Sequence, residues 1–235
     1  VKTIEEQIAT GFDHLAPGYD FLSRMVFGNA LRNAQSYFLE QLPRGGRILV
    51  MGGGSGWFLE QLLSQTDCPE IVYQDVSAQM LRRSEERIRR VLPNQLPRVR
   101  FVQAGILDLP RQKFEVICTH CFLDLFSSES LPGVVNRLSD RLLPKGVWYF
   151  SDFHPVDHFP MNGVSRLLLW LMYRFFRSTC RIEAERLPAF DLAWQANGLS
   201  AGEEKCFYGG MIRAQLFHQT PSISGGARPF SKARS

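Results

Sequence analysis

Through the middle of the chain, short apolar runs alternate with longer stretches in which apolar residues recur every three or four positions. The short runs fall at 47–51, 70–74, 99–103, 114–119 and 146–152, and the longer ones between them at 56–65, 78–91 and 130–142. The first class has the length and apolar content of strands buried on both faces, the second the period of amphipathic helices. Parallel strands need such crossovers, and a strand, helix, strand unit closes right-handed, so the pattern predicts an α/β protein with a doubly wound sheet. Ahead of the first strand, residues 1–42 read as a cap of two or three helices broken at Pro17-Gly18 and around Gly28. After the fifth strand, a hydrophobic helix over 163–177 leads to two strand-like runs meeting near Gly209-Gly210, the pattern of a hairpin closing the sheet edge. One domain over 1–219 is expected, with a tail, 220–235, that has no hydrophobic period and reads as disordered.

Composition narrows the classes. The 235 residues are 45% hydrophobic and 21% charged, enough for a sizeable core. The net charge of +4 owes three of its positive charges to Arg228, Lys232 and Arg234 in the tail. A body so near neutrality argues against a groove for nucleic acid, which has to neutralise several phosphates. The basic run "RRSEERIRR" places Glu85 four residues before Arg89 and Glu86 before Arg90, the arrangement of a solvated helix face. No apolar run reaches the length of a membrane span, and the first residues lack the layout of a signal peptide, so a cytoplasmic location is expected. The five cysteines read as free thiols. Cys118 and Cys121, in "CTHC", have a metal or redox spacing but no second pair, and are read as buried thiols with no metal site.

Candidate chemistry begins at "RILVMGGGSGWF", where the first strand runs into Gly52, Gly53, Gly54 and Gly56. In an open parallel sheet, ligands collect at the carboxyl ends of the strands, and glycines there let a ligand approach main-chain N–H groups without meeting a Cβ. The same turn could serve only to pack its helix tightly against the sheet. A dinucleotide fingerprint, G-x-G-x-x-G, would put its third glycine where Trp57 stands; the spacing present is G-x-G-x-G. Asp75 ends the second strand, where its carboxylate can accept both hydroxyls of a ribose. That would suit a nicotinamide dinucleotide as well as another adenosine ligand, and the residue could instead only cap the next helix.

The G-x-G-x-G turn resembles the first motif of class I S-adenosylmethionine (SAM) dependent methyltransferases. "FDHLAPGYDFLSRMVFG", "ILVMGGGSGWF", "DVSAQML", "FVQAGILDLP", "KFEVICTHCFLDLF" and "LLPKGVWYFSDF" follow one another as do the segments of the ubiquinone/menaquinone methyltransferase group. The resemblance implies a mostly parallel, seven-stranded Rossmann-like sheet with a reversed last strand, a helical cap before it and a lid helix after strand 5. It implies SAM as cofactor, held by Tyr19 in the helix that folds over it, by Gly52, Gly53, Gly54 and Gly56, by Asp75 and Val76, by Gly105 and Ile106 at the adenine, and by His120 at the methionine part. Val50 and Gly105 stand where the family commonly has acids. Losing those two polar anchors leaves room for a methyltransferase fold that binds a ligand without chemistry.

Methyl transfer from a sulfonium needs alignment and exclusion of water more than a base, unless the acceptor must lose a proton. His120 and Asp124 in "THCFLDLF", and Asp152 and His154 in "SDFHP", sit at the ends of strands four and five. Asp124 and His154 are the candidates for acceptor contact, each equally able to order a loop. In "GVSRLLLWLMYRFFR" apolar residues nearly encircle the predicted helix, so something must cover it: the domain itself, a second copy in a homodimer, or a large apolar acceptor with transient contact at a membrane surface. The sequence thus points to a small, apolar acceptor molecule, without nucleic acid.

Overall fold

The computed structural model describes residues 4–156 and 161–219. Three helices come first, α1 (Ile4–Leu15), α2 (Tyr19–Phe27) and α3 (Ala30–Ser36). Strands and helices then alternate: β1 (Arg47–Met51), α4 (Trp57–Gln65), β2 (Glu70–Asp75), α5 (Ala78–Val91), β3 (Val99–Gln103), β4 (Phe114–His120), α6 (Leu131–Ser139) and β5 (Leu142–Phe153). Helices α7 (Met161–Cys180) and α8 (Phe190–Ala196) precede the closing strands β6 (Leu199–Phe207) and β7 (Ile212–Gln219). The seven strands lie in the order β3-β2-β1-β4-β5-β7-β6. All pairings are parallel up to β5, and β7 runs antiparallel to both β5 and β6.

This is the expected doubly wound sheet with a reversed last strand. The hairpin closes the sheet edge as expected, with its second strand, β7, next to β5 and its first, β6, outermost. Three differences of extent also appear. Strand β5 begins at Leu142 and takes in the Leu143-Pro144-Lys145 segment expected to lie outside it; α6 ends at Ser139; and α8 was not foreseen, being only seven residues long. The tail, 220–235, lies outside the described residues.

Alternation along β1 divides the core. Ile48 and Val50 point to one face, where Leu31, Ala34 and Phe38 of the cap meet Leu59 and Leu62 of α4 and Ile88 of α5. Leu49 and Met51 point to the other, against Val134, Val135 and Leu138 of α6 and Phe190 and Trp194 of α8. With both faces covered, the central strands are apolar at nearly every position, which is why they read as runs. The sheet's own residues also fasten the cap. Tyr149 of β5 is buried; its hydroxyl donates to the Ala34 carbonyl at 2.5 Å and accepts from the Phe38 N–H at 3.2 Å.

Helix α7 packs along α1. The two approach so closely at Gly11 that a Cβ there would meet the Cys180 backbone, and Phe12 and Phe176 lie 6.1 Å apart, ring to ring. Tyr173 and Cys180 turn inward, whereas Val164, Leu167, Trp170 and Leu171 remain exposed. The domain therefore covers one side of this helix and not the other. Among the described residues no helix is long and apolar enough to cross a membrane.

Replacing Tyr149 by Phe would leave a buried carbonyl and a buried N–H without this partner. A loss of about 1–3 kcal/mol is expected, read as a drop of roughly 2–4 °C in Tm per kcal/mol.

Candidate active site

A cavity of about 440 Å³ opens at the carboxyl ends of the parallel strands, roofed by α1 and α2. Its floor is the turn after β1. Gly54 sits there at φ +65°, and a Cβ built on it would meet nothing, so the turn presents bare backbone to open space. Gly52 and Gly56 have positive φ for a different reason: a Cβ would strike the Phe122 ring at the first and Ser84 of α5 at the second. Those two glycines serve packing, and Gly54 faces the cavity.

Asp75, at the end of β2, ties this turn to the next. One carboxylate oxygen accepts from the Gly54 N–H and the other from the Ser77 N–H, both at 2.9 Å. Burial pushes its pKa up, while the bonds from Ser77 and Gly54 oppose that shift. Each oxygen keeps a further lone pair, and the residue lines the cavity. Ser77, the cap of α5, is satisfied separately: its hydroxyl accepts from the Met80 N–H and donates to Asp13 of α1. The helix is therefore capped by Ser77, and Asp75 is left for the turn and the cavity.

Tyr19, Gly52, Gly53, Gly54, Asp75, Val76, Ile106 and His120 all line the one cavity. Gly56 stands behind it as the left-handed entry to α4. Gly105 lies off the lining, with its carbonyl accepting from the buried Gln74 amide at 2.8 Å. Asp124 is buried behind the wall, in the 3-10 turn Leu123–Leu125 between the lining residues Cys121, Phe122 and Leu125. His154, also off the lining, follows β5 with its N–H bonded to the Met211 carbonyl.

His120 is held in an apolar socket, edge-on to Phe58 and Tyr149. A 2.7 Å hydrogen bond joins its Nδ1 to the Ser151 hydroxyl, and burial lowers its pKa to about 3. The ring is neutral at physiological pH and a poor base, which suits a wall rather than a proton acceptor. Cys121 follows at φ +48°, its N–H fixed by the Ser151 carbonyl at 2.8 Å. Cys118 is buried and both thiols are free. Among the described residues no group of His, Cys, Asp or Glu is arranged to hold a metal ion.

Two pairings of residues went unread in the sequence. Asp20, beside Tyr19, accepts from the Ser55 hydroxyl at 2.6 Å and from Arg87 at 3.2 Å, and Arg87 also reaches the Ser55 carbonyl and Glu60. This clamp holds α2 down on the glycine turn. Arg87 belongs to the run read as a solvated face; Glu85 and Arg89 do pair there at 2.6 Å, but Arg87 turns inward. The second is Asp152 with Asp124. The Asp124 N–H donates to Asp152 Oδ2 at 3.2 Å, the two carboxyls are in contact, and burial raises both, Asp124 to about 7. The "GYD" and "SDF" segments carried these acids in view; Arg87 had no local signal.

The wider resemblance can now be measured. A family model described as a methyltransferase domain matches residues 48–146, from β1 to β5. The chain is 30% identical over 153 residues to a carboxy-S-adenosyl-L-methionine synthase of Wolinella succinogenes, covering 63% of this chain and 60% of that protein. It is 33% identical over 86 residues to a ubiquinone/menaquinone biosynthesis C-methyltransferase of Geotalea uraniireducens, covering 35% and 37%. It thus spans less than two thirds of either relative. In fold it is similar to the 1,6-didemethyltoxoflavin-N1-methyltransferase of Burkholderia thailandensis, solved with S-adenosylhomocysteine bound, with a TM-score of 0.64 at 15% identity over 94% of this chain and 92% of that one.

The lowered pKa of His120 has a consequence for stability. Its folded value lies below 6.5, so the unfolded chain binds the extra proton, and stability falls as pH drops from about 6.5 towards 3, by up to ~1.4 kcal/mol per pH unit. Denaturant titrations of a His120→Gln variant across that range should lack this component.

Proposed function

We propose that the protein is a SAM-dependent methyltransferase acting on a small, apolar acceptor. The observation that carries this reading is the convergence of the bare Gly54 backbone and the Asp75 carboxylate on one cavity. Gly54 leaves room for an amino-acid-bearing nucleoside. Asp75 keeps lone pairs for two ribose hydroxyls, each such charge-assisted bond contributing about 1.5–3 kcal/mol. Val76 and Ile106 give an apolar slot for a flat base, and Tyr19 and His120 enclose the methionine part. Trp57, where a dinucleotide turn needs a glycine, speaks against a nicotinamide cofactor.

SAM supplies an already activated methyl group on a sulfonium. The chain's own task is alignment and shelter: the clamp of Asp20, Ser55 and Arg87 holds α2 over the turn, so that Tyr19 covers the cavity and water is excluded. The acceptor enters on the side of Cys121, Phe122 and Leu125, where Asp124 lies behind the wall and His154 farther along β5. A location in the cytoplasm and a homodimer formed through the exposed side of α7 are compatible with this reading.

A second reading rests on the relative named as a carboxy-S-adenosyl-L-methionine synthase: the cofactor would itself be altered rather than spent as a methyl donor. Product mass separates the two, S-adenosylhomocysteine appearing only in the first. A chain that binds this nucleoside and turns over nothing would be the silent module.

Calorimetric titration with S-adenosylhomocysteine should show binding, weakened at least tenfold by Asp75→Ala, about 1.4 kcal/mol or more. An unchanged affinity in the folded variant would remove Asp75 from the site.

A further inference from the structure

The acceptor side of the cavity is backed by an acidic cluster that nothing neutralises. Asp152, at the end of β5, and Asp124, beyond the end of β4, are both buried and in contact. Asp152 accepts the N–H groups of Asp124 and Phe153, whereas Asp124 Oδ1 is buried with no hydrogen-bond partner. The groups facing the pair are Tyr19 from α2, Cys121 from the turn after β4 and Tyr173 from α7. None of them is a cation, and the Tyr173 hydroxyl is also buried and unpartnered. Two touching carboxyls in such a place cannot both ionise, so they hold a proton between them. His120 is no rival base, because burial keeps its ring a poor proton acceptor.

We propose that Asp124 and Asp152 are the proton-accepting pair of this site, reached from the cavity through Tyr19, and that the acceptor is a molecule that must lose a proton to be methylated: a phenol, an enol or an acidic carbon. Tyr19 and Cys121 both line the cavity and face both carboxyls, and Tyr19 carries the hydroxyl that can pass a proton between the acceptor space and the pair. This rests on the methyl-transfer reading. In the step, the acceptor oxygen or carbon forms a bond to the methyl carbon, and the carbon–sulfur bond breaks with its electron pair returning to sulfur. The acceptor's proton passes to the Tyr19 oxygen as the Tyr19 proton passes to the ionised member of the pair. The pair ends with one proton more and returns it to solvent between turnovers. The Asp pair is thus a positioning and proton-storing element, and Tyr19 the group that touches substrate.

The direction with pH follows from burial. Above about 7 one member is ionised and accepts the proton; below it both are protonated and the route closes. Activity should therefore fall as pH drops through about 7.

The test uses the full chain, its Asp124→Asn, Asp152→Asn and Tyr19→Phe variants, and S-adenosylhomocysteine binding as a control. Infrared spectra of the 13C-aspartate-labelled protein should show a protonated aspartate carbonyl at pH 6, where ordinary carboxyls are ionised, weakened in either Asn variant. With simple phenols as acceptors, Asp124→Asn should lower kcat at least 100-fold with KM within about threefold, and remove the break near pH 7. Failure of the wild type to bind S-adenosylhomocysteine would sink the methyl-transfer reading itself. Binding without a protonated aspartate, or without turnover of any proton-bearing acceptor, would overturn the pair's role alone, as would an Asn variant with the wild-type kcat and pH profile.

Discussion

The site depends on a single buried carboxylate with two backbone donors. Asp75 emerges from β2 with nowhere to send its charge except the N–H groups of Gly54 and Ser77, and by accepting both it fixes the turn after β1 against the turn after β2. Those turns belong to different crossover units, and the backbone already joins the first of them to β2 through the Gly52 and Gly53 N–H groups on the Gln74 carbonyl. Tyr73 adds a second tie from the same strand, its hydroxyl donating to the Gly53 carbonyl. The floor of the cavity is rigid because the strand beside it supplies both a donor and an acceptor to it. Removing a side chain at Gly54 creates the space; Asp75 keeps the backbone from collapsing into it.

The cap is governed by the same economy. Asp13 of α1 accepts from Ser77 and the Gln79 N–H at the start of α5, and Asp20 of α2 accepts from Ser55 ahead of α4. Each acid thus sits at the amino end of a sheet-side helix, where the peptide dipoles favour a negative charge. The cap covers the cavity without a continuous apolar seam at its rim, and polar contacts of that kind can open and close at less cost than a packed core. The apolar fastening lies farther back, at Phe27, Leu31 and Phe38, so the rim and the hinge of the cap are held by different physics.

This division explains what the sequence disclosed. Doubly wound architecture, the glycine turn, Asp75 and the three cap helices were legible because each rests on local pattern: runs of two-sided strands, a turn chemistry, a strand-end acid, breaks at Pro17-Gly18 and Gly28. Which strand of the hairpin pairs with β5 was not, since a hairpin reads the same whichever of its strands joins the sheet. Nor was the inward turn of Arg87, one arginine among five in a run whose neighbours do face water. Asp152 was in view as the end of an apolar strand, but its partnership with Asp124 depends on β4 and β5 being neighbours, a fact of topology rather than of either segment.

Two strand-end aspartates, Asp75 and Asp152, and Asp124 from the turn after β4 lie at or behind the cavity wall, and their chemistry differs because their solvation does. Asp75 is buried yet answered on both oxygens by N–H groups, so its charge is compensated and fitted to receive hydroxyls. Asp124 and Asp152 are buried with N–H bonds on one member only, and each faces the other's carboxyl. Burial raises all three, but at Asp75 the bonds from Ser77 and Gly54 oppose the shift, whereas at Asp124 it reaches about 7. One side chain, placed at the ends of β2 and β5, thereby meets two kinds of surroundings, backbone donors on both oxygens at Asp75 and a second buried carboxyl at Asp152.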